Sequence, residues 1–369
     1  MPSVGKRLSA AEAVPLRILI VDDSIVARTV FQRMLVDQAG FAVEGIARDV
    51  DQALAMLAKV AVDIVLLDVE MPGTDGLTAL PAILRAGQGA HVVIVSSSCA
   101  DGAVATVRAL SLGASDTLLK PSSGDLANGF AGRLADRLRR LGPARRVTPL
   151  KSVPVDGVDR AGAARTDPVG CIAIGASTGG LLALAAFFQG LGRHCDAPIL
   201  VTQHLPAEFM RYFADQLSEM ADRPVSVAQA GQLVLPGQIL TAPGTAHLSL
   251  RLDNGAIRIQ HDDRRAVSGC QPSVDPMLEA VAKIYGKSGV GVILSGMGRD
   301  GSLGAAMLVK AGGELMAQDA ATSTVWGMPG AVARTGLATT VQPAVLLGRR
   351  IATRMKAATA PATGTSSWK

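Results

Sequence analysis

The first part of the chain alternates short, continuous apolar runs with longer stretches whose apolar residues recur at helical spacing. Continuous apolar runs are typical of strands in a parallel sheet that is covered on both faces. Such strand–helix pairs repeat over a length that fits one doubly wound α/β domain. The predicted strands are 16–21, 41–47, 64–67, 92–95 and 117–119, and the predicted helices are 25–37, 50–59, 76–85, 102–112 and 125–141.

A second series of apolar runs begins at Cys171 and predicts another parallel sheet. Two of its runs, 247–250 and 256–260, flank the pair Asn254-Gly255, which predicts a β-hairpin. The other predicted strands are 171–174, 199–203, 225–228, 239–241, 290–294, 314–317 and 339–341.

Between the two series, the chain loses its periodic apolar face and becomes rich in Pro, Gly, Ala and Arg, as flexible linkers are. We therefore predict two doubly wound parallel-sheet α/β domains, 16–138 and 169–355, joined by a linker over 139–168. Residues 356–369 are rich in Ala, Thr and Ser, and we expect them to be disordered.

The distribution of charge decides which partners are expected. The chain has 369 residues, a net charge of +5 and a pI near 9.2, which would by itself favour an anionic partner. However, the excess lies in 139–168 (+4) and 356–369 (+2), whereas 1–138 carries −3 and 169–355 carries +2. Because no folded segment is strongly basic and the chain has only 11 aromatic residues, we expect no nucleic-acid partner.

The four cysteines, Cys99, Cys171, Cys195 and Cys270, are widely spaced and form no C-x-x-C pair. This spacing indicates neither a zinc knuckle nor a redox motif, and it is typical of a reduced, cytoplasmic protein. No apolar run reaches the roughly 18 residues that a membrane helix needs. We therefore expect a cytoplasmic protein that does not insert into a membrane.

Acidic residues follow the predicted strands of the first domain, where the carboxyl ends of parallel strands meet. Asp22 and Asp23 follow the first strand, Asp68 the third, and Lys120 the fifth. Neighbouring carboxylates repel one another unless a cation is present, and Mg²⁺ prefers such oxygen ligands. With Mg²⁺ and Lys120 to neutralise charge, one acid could accept a phosphoryl group. Helix capping is the alternative for Asp22, Asp23 and Asp75, but it does not account for Asp68 opposite Lys120.

A G-x-S-x-G sequence follows the first predicted strand of the second domain. It comprises Gly175-Ala176-Ser177-Thr178-Gly179 and lies between strand 171–174 and a helix predicted to start near Leu181. At such a turn, a Ser hydroxyl is exposed beside backbone N–H groups that can hold an oxyanion. Helix capping is again the alternative, and the motif alone does not decide between the two.

A nucleophilic serine needs a base, and the chain has five histidines. His204 directly follows predicted strand 199–203, and Asp300 follows strand 290–294, so both would reach the sheet edge that carries Ser177. The order Ser, His, Asp differs from that of α/β-hydrolases and of chymotrypsin-like and subtilisin-like enzymes. We expect His91 and His194 at the surface.

A second glycine pattern favours a different class of enzyme. Residues 296–301, Gly-Met-Gly-Arg-Asp-Gly, match the dinucleotide-binding sequence G-x-G-x-x-G, and Asp319 lies at about the spacing of a ribose-binding acid. However, Asp300 would place a carboxylate at the helix N-terminus where the pyrophosphate should bind. The sequence therefore disfavours a nicotinamide-binding enzyme.

The runs LRILIVDDS, IVLLDVEMPGTDG, VVIVSSS and LLKPSS resemble the receiver domain of two-component response regulators, over residues 16 to about 138. In receivers, the position three residues before the conserved lysine is usually aromatic, whereas this chain has Thr117. The resemblance implies a phosphoacceptor at Asp68, Mg²⁺ ligands at Asp22, Asp23, Asp68 and the carbonyl of Glu70, a switch hydroxyl at Ser96 and a conformational lysine at Lys120.

The runs GASTGG, VTQHLP, TAPGTAHL, QPSVDPML, ILSGMGRDG and AQDAATSTVWGMPGAV resemble, in order and spacing, the catalytic domain of the chemotaxis protein-glutamate methylesterases. The resemblance implies a serine hydrolase with Ser177 as nucleophile, His204 as general base and Asp300 as the residue that orients it. It also implies that backbone N–H groups of Thr178 and Met297 stabilise the oxyanion.

Together, the two resemblances imply a phosphorylation-regulated enzyme of bacterial chemotaxis. It would demethylate glutamate methyl esters on the cytoplasmic helices of chemoreceptors, release methanol and deamidate receptor glutamines. The resemblance further implies a chemotaxis histidine kinase as phosphodonor and a receiver that restrains the active site until Asp68 is phosphorylated. Mg²⁺ would serve the receiver, and no cofactor is expected for the esterase chemistry.

Overall fold

A computed structural model describes residues 14–96, 100–121, 129–144 and 167–359 of the chain. These residues form two compact units, each built around one parallel sheet. Most of the predicted linker and the end of the predicted tail, residues 145–166 and 360–369, lie outside the described residues, as does the predicted start of helix 125–141. Within the described part of the chain, no helix combines the length and apolar character needed to cross a membrane.

The first sheet has five parallel strands in the order β2-β1-β3-β4-β5, which confirms the doubly wound prediction. Its strands form where the sequence is continuously apolar; β3 and β4, for example, are buried along their whole length. The strands are β1 (Leu16–Val21), β2 (Phe41–Ala47), β3 (Ile64–Asp68), β4 (His91–Ser96) and β5 (Asp116–Leu119).

Three helices of this series begin at polar caps, Ser24, Asp49 and Asp75, and bury one apolar face. Asp75 caps α3 by accepting a hydrogen bond from the backbone N–H of Thr78, so the capping alternative holds for that residue. On α5, Phe130, Leu134 and Leu138 recur every four residues and are buried. The helices are α1 (Ile25–Val36), α2 (Val50–Leu57), α3 (Gly76–Ala86), α4 (Ala100–Ser111) and α5 (Phe130–Leu141).

The second sheet has seven parallel strands in the order β14-β13-β12-β6-β7-β9-β8, and a separate antiparallel pair, β10-β11, forms the hairpin. The central strands β6, β7 and β12 are buried throughout. The strands are β6 (Cys171–Ala176), β7 (Ile199–Gln203), β8 (Val225–Val227), β9 (Ile239–Thr241), β10 (His247–Asp253), β11 (Ala256–Asp262), β12 (Gly289–Ile293), β13 (Glu314–Gln318) and β14 (Thr340–Gln342).

Helices follow most strands of this sheet, as βαβ connections require. They are α6 (Gly180–Leu191), α7 (Met210–Ala221), α8 (Val274–Tyr285), α9 (Ser302–Lys310), α10 (Met328–Arg334) and α11 (Ala344–Thr359). Short 3₁₀ turns at Ala207–Phe209 and Gly286–Ser288 precede α7 and follow α8.

The hairpin is longer than predicted. Its strands run over His247–Asp253 and Ala256–Asp262, which leaves a two-residue turn. Asn254 and Gly255 both have positive φ, 49° and 80°, as a tight hairpin turn requires. Arg251 and Arg258 face each other across the strands, and the carboxylate of Asp253 lies 3.1 Å and 3.2 Å from their guanidinium groups. This shared carboxylate offsets the repulsion between the arginines, so the polar residues continue the ladder.

Two further expectations differ from the structure. His91 is 5% exposed at the start of β4 rather than at the surface, because β4 lies between two other strands of the sheet. The last helix extends to Thr359, so residues 356–359 are helical where we expected disorder. Lys356, Ala357 and Ala358 are good helix formers and continue a helix whose Arg354 is paired, at 2.6 Å, with buried Glu314.

Two glycines allow α6 and α11 to approach each other closely. A Cβ atom added to Gly190 would lie 1.9 Å from the carbonyl oxygen of Val345, and one added to Gly348 would lie 2.2 Å from that of Phe187. Neither position has room for a side chain unless the helices separate.

We expect Gly190→Ala to lower the free energy of unfolding by about 1–3 kcal/mol, because the new methyl group overlaps the backbone of α11. Gly132→Ala on α5 is the matched control, since nothing lies within 4 Å of its Cβ position and alanine favours the helix. Urea unfolding of the full chain measures both changes. An unchanged unfolding midpoint for Gly190→Ala would contradict the close packing.

Candidate functional site

The carboxyl edge of the second sheet brings together the three residues predicted for nucleophilic chemistry. β6 lies between β12 and β7, with Gly175 paired to Ile293 and Ala176 paired to Gln203. Because the three strands are parallel, Ser177, His204 and the loop that carries Asp300 all leave the sheet at the same edge. The backbone N–H of His204 also donates to the carbonyl of Ala176 at 3.1 Å, which holds the histidine beside the serine turn.

Ser177 lies in a turn whose backbone is fixed by neighbouring elements. Its N–H donates to the carbonyl of Ser295 at 3.0 Å, and its carbonyl accepts from the side chain of Gln203 at 2.8 Å. Helix α6 is capped by Gly179, with φ of 71°, and not by a serine side chain. The helix-capping alternative for Ser177 is therefore wrong, and its half-buried hydroxyl does not serve the helix.

His204 and Asp300 form a buried pair. Nε2 of His204 lies 2.8 Å from Oδ2 of Asp300, whose side chain is 1% exposed. Asp300 accepts two more hydrogen bonds, from the hydroxyl of Ser273 at 2.6 Å and from the backbone N–H of Val274 at 2.7 Å. Among the described residues, no hydrogen bond joins the hydroxyl of Ser177 to His204; such bonds are often long before substrate is bound.

The pKa values of both members of the pair are strongly shifted. Burial acts against the charged imidazole, but hydrogen bonds and charge from Asp300 and Cys270 outweigh it and raise the pKa of His204 to about 9. Burial likewise acts against the carboxylate of Asp300, but His204, Ser273 and the N–H of Val274 lower its pKa to about 2. Asp300 thus remains an anion that orients the imidazole and stabilises its protonated form.

Two residues that sequence reasoning missed hold Asp300 in place. Ser273 caps helix α8 and donates its hydroxyl to Asp300, while its own N–H donates to Nδ1 of buried His247 at 2.9 Å. Nε2 of His247 donates in turn to the carbonyl of Arg264 at 2.7 Å. Both residues lie within quoted motifs, TAPGTAHL and QPSVDPML, but neither follows a predicted parallel strand, so strand-end reasoning passed over them.

The backbone beside Ser177 comes from two segments. Thr178 follows the serine and is buried, and its carbonyl accepts from the hydroxyl of Ser295 at 2.8 Å. On the other side, a Cβ added to Gly296 would lie 3.0 Å from Cβ of Ser177, so only glycine lets this strand pass so close. Met297 is the next residue in the chain and is half-buried.

The structure also disfavours dinucleotide binding at residues 296–301. Asp300 turns inward to His204 and Ser273, so a buried carboxylate occupies the region ahead of helix α9. Asp319 is 7% exposed and accepts from the backbone N–H of Thr322 at 3.2 Å. Asp300 therefore stands where the pyrophosphate would bind, and Asp319, the acid that the pattern needs for the ribose, is engaged in local structure.

At the carboxyl edge of the first sheet, the predicted acidic cluster forms. Carboxylate oxygens of Asp22, Asp23 and Asp68 lie within 4.8 Å of one another. Nζ of Lys120 lies 2.7 Å from Asp68 and 3.1 Å from Asp22. Helix α3 approaches this site through Gly76, where a Cβ would lie 2.1 Å from the carbonyl oxygen of Asp68.

The electrostatics of the cluster suit a divalent cation. Burial and the charge of Asp22 raise the pKa of Asp68, although Lys120 acts in the opposite direction. Oδ2 of Asp22 is buried and, apart from its ion-pair contact with Lys120, accepts no aligned hydrogen bond from the described residues. Three carboxylates with an under-satisfied oxygen fit the oxygen-ligand preference of Mg²⁺.

The other predicted receiver residues lie around this cluster. Ser96 ends β4, is fully buried, and its hydroxyl has no hydrogen-bond partner among the described residues. Its carbonyl accepts from the N–H of Lys120 at 2.9 Å, while the N–H of Glu70 donates to Asp68 at 3.1 Å. Thr117 is 4% exposed in β5, so this interior position is filled by a small side chain.

A sequence model of the CheB methylesterase family matches residues 172–351, and one of the response regulator receiver domain matches residues 18–128. A protein-glutamate methylesterase/protein-glutamine glutaminase 2 of Caulobacter vibrioides is 42% identical over 345 residues, which are 92% of this chain and 99% of the relative. The chain belongs to this CheB methylesterase family.

A second relative and a solved structure are also similar to this chain. A protein-glutamate methylesterase/protein-glutamine glutaminase of Maricaulis maris is 33% identical over 401 residues, covering 96% of this chain and 99% of the relative. The crystal structure of the Thermotoga maritima CheB methylesterase catalytic domain is 35% identical and covers 51% of this chain and 99% of that chain, with a TM-score of 0.49. The two family models and the 42% identical relative show that the chain is a hydrolase of the CheB family that carries a response regulator receiver domain.

We expect Ser273→Ala to destabilise this methylesterase by about 1–2 kcal/mol, because it removes a helix cap and a donor to buried Asp300. Ser302→Ala is the matched control: its hydroxyl donates to the carbonyl of Arg299 at an exposed position, and its loss should change stability by less than about 0.5 kcal/mol. Urea unfolding compares the two variants. Equal midpoints would show that Ser273 does not stabilise the carboxylate.

Proposed function

We propose that the chain is a phosphorylation-regulated protein-glutamate methylesterase and protein-glutamine glutaminase of bacterial chemotaxis. Its substrates are γ-methyl esters of glutamate, and glutamines, on the cytoplasmic helices of chemoreceptors. The observation that carries this proposal is the meeting of Ser177 with the buried His204–Asp300 pair at one sheet edge, in a chain whose full-length relatives bear that name.

Ser177 is the nucleophile in this proposal. Its oxygen attacks the ester carbonyl, its proton passes to His204, and the proton then leaves with methanol as the acyl-enzyme forms. The neutral form of His204 carries out this step, and its population grows as the pH rises toward its pKa of about 9. Because Nε2 of His204 is engaged by Asp300, Nδ1 is the nitrogen that accepts the proton. Water deprotonated by the same nitrogen attacks the acyl-enzyme, which releases the glutamate side chain and restores Ser177. With a glutamine substrate, ammonia leaves in place of methanol.

Charge that develops on the carbonyl oxygen needs donors that are already in place. We assign this role to the backbone N–H groups of Thr178 and Met297, which lie on the two segments that flank Ser177. Asp300 supports the same step by stabilising the imidazolium that forms on His204.

Ser177→Ala should lower methanol release from methylated receptor membranes by about 1,000-fold or more, because the acyl-enzyme cannot form. Ser226→Ala, an exposed serine on β8, is the control and should keep wild-type activity. Release that is unchanged in Ser177→Ala would mean that another residue is the nucleophile.

The first unit supplies the regulation in this proposal. Asp68 accepts the phosphoryl group from a chemotaxis histidine kinase. The carboxylates of Asp22, Asp23 and Asp68 would hold Mg²⁺ together with the carbonyl of Glu70. Bound Mg²⁺ would neutralise charge on the phosphoryl oxygens. Lys120 lies within reach of the same oxygens, and the unpartnered hydroxyl of Ser96 is available to contact them.

Phosphorylation then shifts the chain from a restrained to an active population. In this account the receiver spans 16–138, the linker 139–168 and the methylesterase domain 169–355. The protein acts in the cytoplasm, where the kinase and the receptor helices are found. A small residue at Thr117 means that an aromatic ring at this position does not transmit the signal, so we assign transmission to the phosphoryl contacts of Ser96 and Lys120.

Asp68→Asn should abolish the gain in methanol release that a small-molecule phosphodonor such as acetyl phosphate produces in Mg²⁺, because the acceptor oxygen is lost. Asp75→Asn is the matched control, since Asp75 is an exposed helix cap of the same unit, and it should keep the gain. Activation of Asp68→Asn to the wild-type level would rule out this phosphoacceptor.

A further inference from the structure

Cys270 lies beside the His204–Asp300 pair, and the proposed esterase chemistry does not use it. Its Sγ, a ring nitrogen of His204 and a carboxylate oxygen of Asp300 lie within 4.8 Å of one another. The thiol is half-buried and unoxidised, in the turn before helix α8. There, Gly269 has φ of 73°, and the N–H of Cys270 donates to the hydroxyl of Ser268 at 3.3 Å. The turn thus holds the sulfur of Cys270 close to a nitrogen ligand and an oxygen ligand.

This set of donor atoms is one that zinc prefers. Thiolate, imidazole and carboxylate all bind Zn²⁺ at about 2.0–2.3 Å, which places tetrahedral ligand atoms roughly 3.3–3.8 Å apart. Atoms that already lie within 4.8 Å of one another need to move by about 1 Å to reach that spacing. Three protein ligands leave a fourth position for water, as in open zinc sites.

Access and selectivity support the same conclusion. The side chain of His204 is 15% exposed and Cys270 is half-buried, so an ion can reach these two ligands from solvent, with the 1% exposed Asp300 behind them. Mg²⁺ prefers oxygen ligands alone, so it would select the Asp22–Asp23–Asp68 cluster and leave this site to a softer ion. The described thiols of Cys171 and Cys195 are buried, and burial raises the pKa of each, so they are poor competitors for zinc.

We infer that His204, Cys270 and Asp300 form a zinc site that reversibly inhibits the esterase. On binding, the thiol of Cys270 and the protonated imidazole of His204 each release one proton to solvent, and the ring nitrogen freed in this way donates its lone pair to the ion. Because the imidazole is then held as a zinc ligand, it is no longer placed to accept the proton of Ser177. The inhibition rests on the proposed function, whereas the binding of zinc does not.

The test uses the full chain in excess Mg²⁺, so that the acidic cluster is already filled. Equilibrium dialysis measures Zn²⁺ bound per chain, and Co²⁺ serves as a spectroscopic probe because a cobalt–thiolate bond adds a charge-transfer absorption. Methanol release from methylated receptor membranes is measured in the same buffers, before and after EDTA. The variants are Cys270→Ser and Cys270→Ala, and the control is His194→Ala, an exposed histidine.

We expect the wild-type chain and His194→Ala to bind zinc tightly, to show the cobalt–thiolate band and to lose methanol release until EDTA is added. Both Cys270 variants should lack the band and need about 100-fold more zinc for half-inhibition, each relative to its own zinc-free rate. If both variants bind zinc and are inhibited at the wild-type concentration, the site is elsewhere and the inference fails. It also fails if zinc binds through Cys270 without slowing methanol release.

The experiment distinguishes failure of the zinc site from failure of the proposed esterase function. A chain that shows the cobalt–thiolate band but releases methanol equally well with Ser177→Ala would refute the proposed nucleophile and keep the metal site. A chain in which Ser177→Ala is inactive but the wild type neither binds nor responds to zinc would refute the metal site alone. Urea unfolding of the Cys270 variants, compared with wild type, shows whether a lost band reflects lost ligation or lost folding.

Discussion

The hydrogen bonds to the buried carboxylate of Asp300 are the interaction on which the arrangement of the second unit's candidate site depends. An anion that is 1% exposed would be costly without partners, and Asp300 has a histidine, a hydroxyl and a backbone N–H as donors. These donors come from the end of β7 and the start of α8, while Asp300 itself lies in the loop between β12 and α9. One charge thereby fixes three segments relative to one another and sets the orientation of His204.

The first unit also brings charged side chains together at one edge of its sheet. There, three carboxylates meet at the carboxyl edge of a parallel sheet, and Lys120 offsets part of their repulsion. Parallel strands place their carboxyl ends together whatever the residues are, so each unit can gather charged groups that are distant in sequence. The free-energy cost of bringing these charged groups together is offset by an ion pair in the first unit and by hydrogen bonds to a single anion in the second.

Much of this arrangement could be predicted from sequence. Continuous apolar runs locate the strands of both sheets, and the residues just after them include Ser177, His204 and Asp68. The features that could not be predicted each have a physical reason. Ser273 and His247 act through the N-terminus of α8 and the start of β10, where no strand-end rule applies, and the hairpin extended because Asp253 neutralises two facing arginines. His91 was misplaced because a single polar residue does not reveal that its strand lies inside the sheet.

The chain joins a response regulator receiver domain to a hydrolase domain of the CheB family. The most direct test is the rate of methanol release from methylated receptor membranes by the wild-type chain, measured in Mg²⁺ with and without a small-molecule phosphodonor. The account predicts a measurable basal rate that rises when the phosphodonor is added. No methanol under either condition would contradict the esterase assignment, and a rate that ignores the phosphodonor would contradict the regulation.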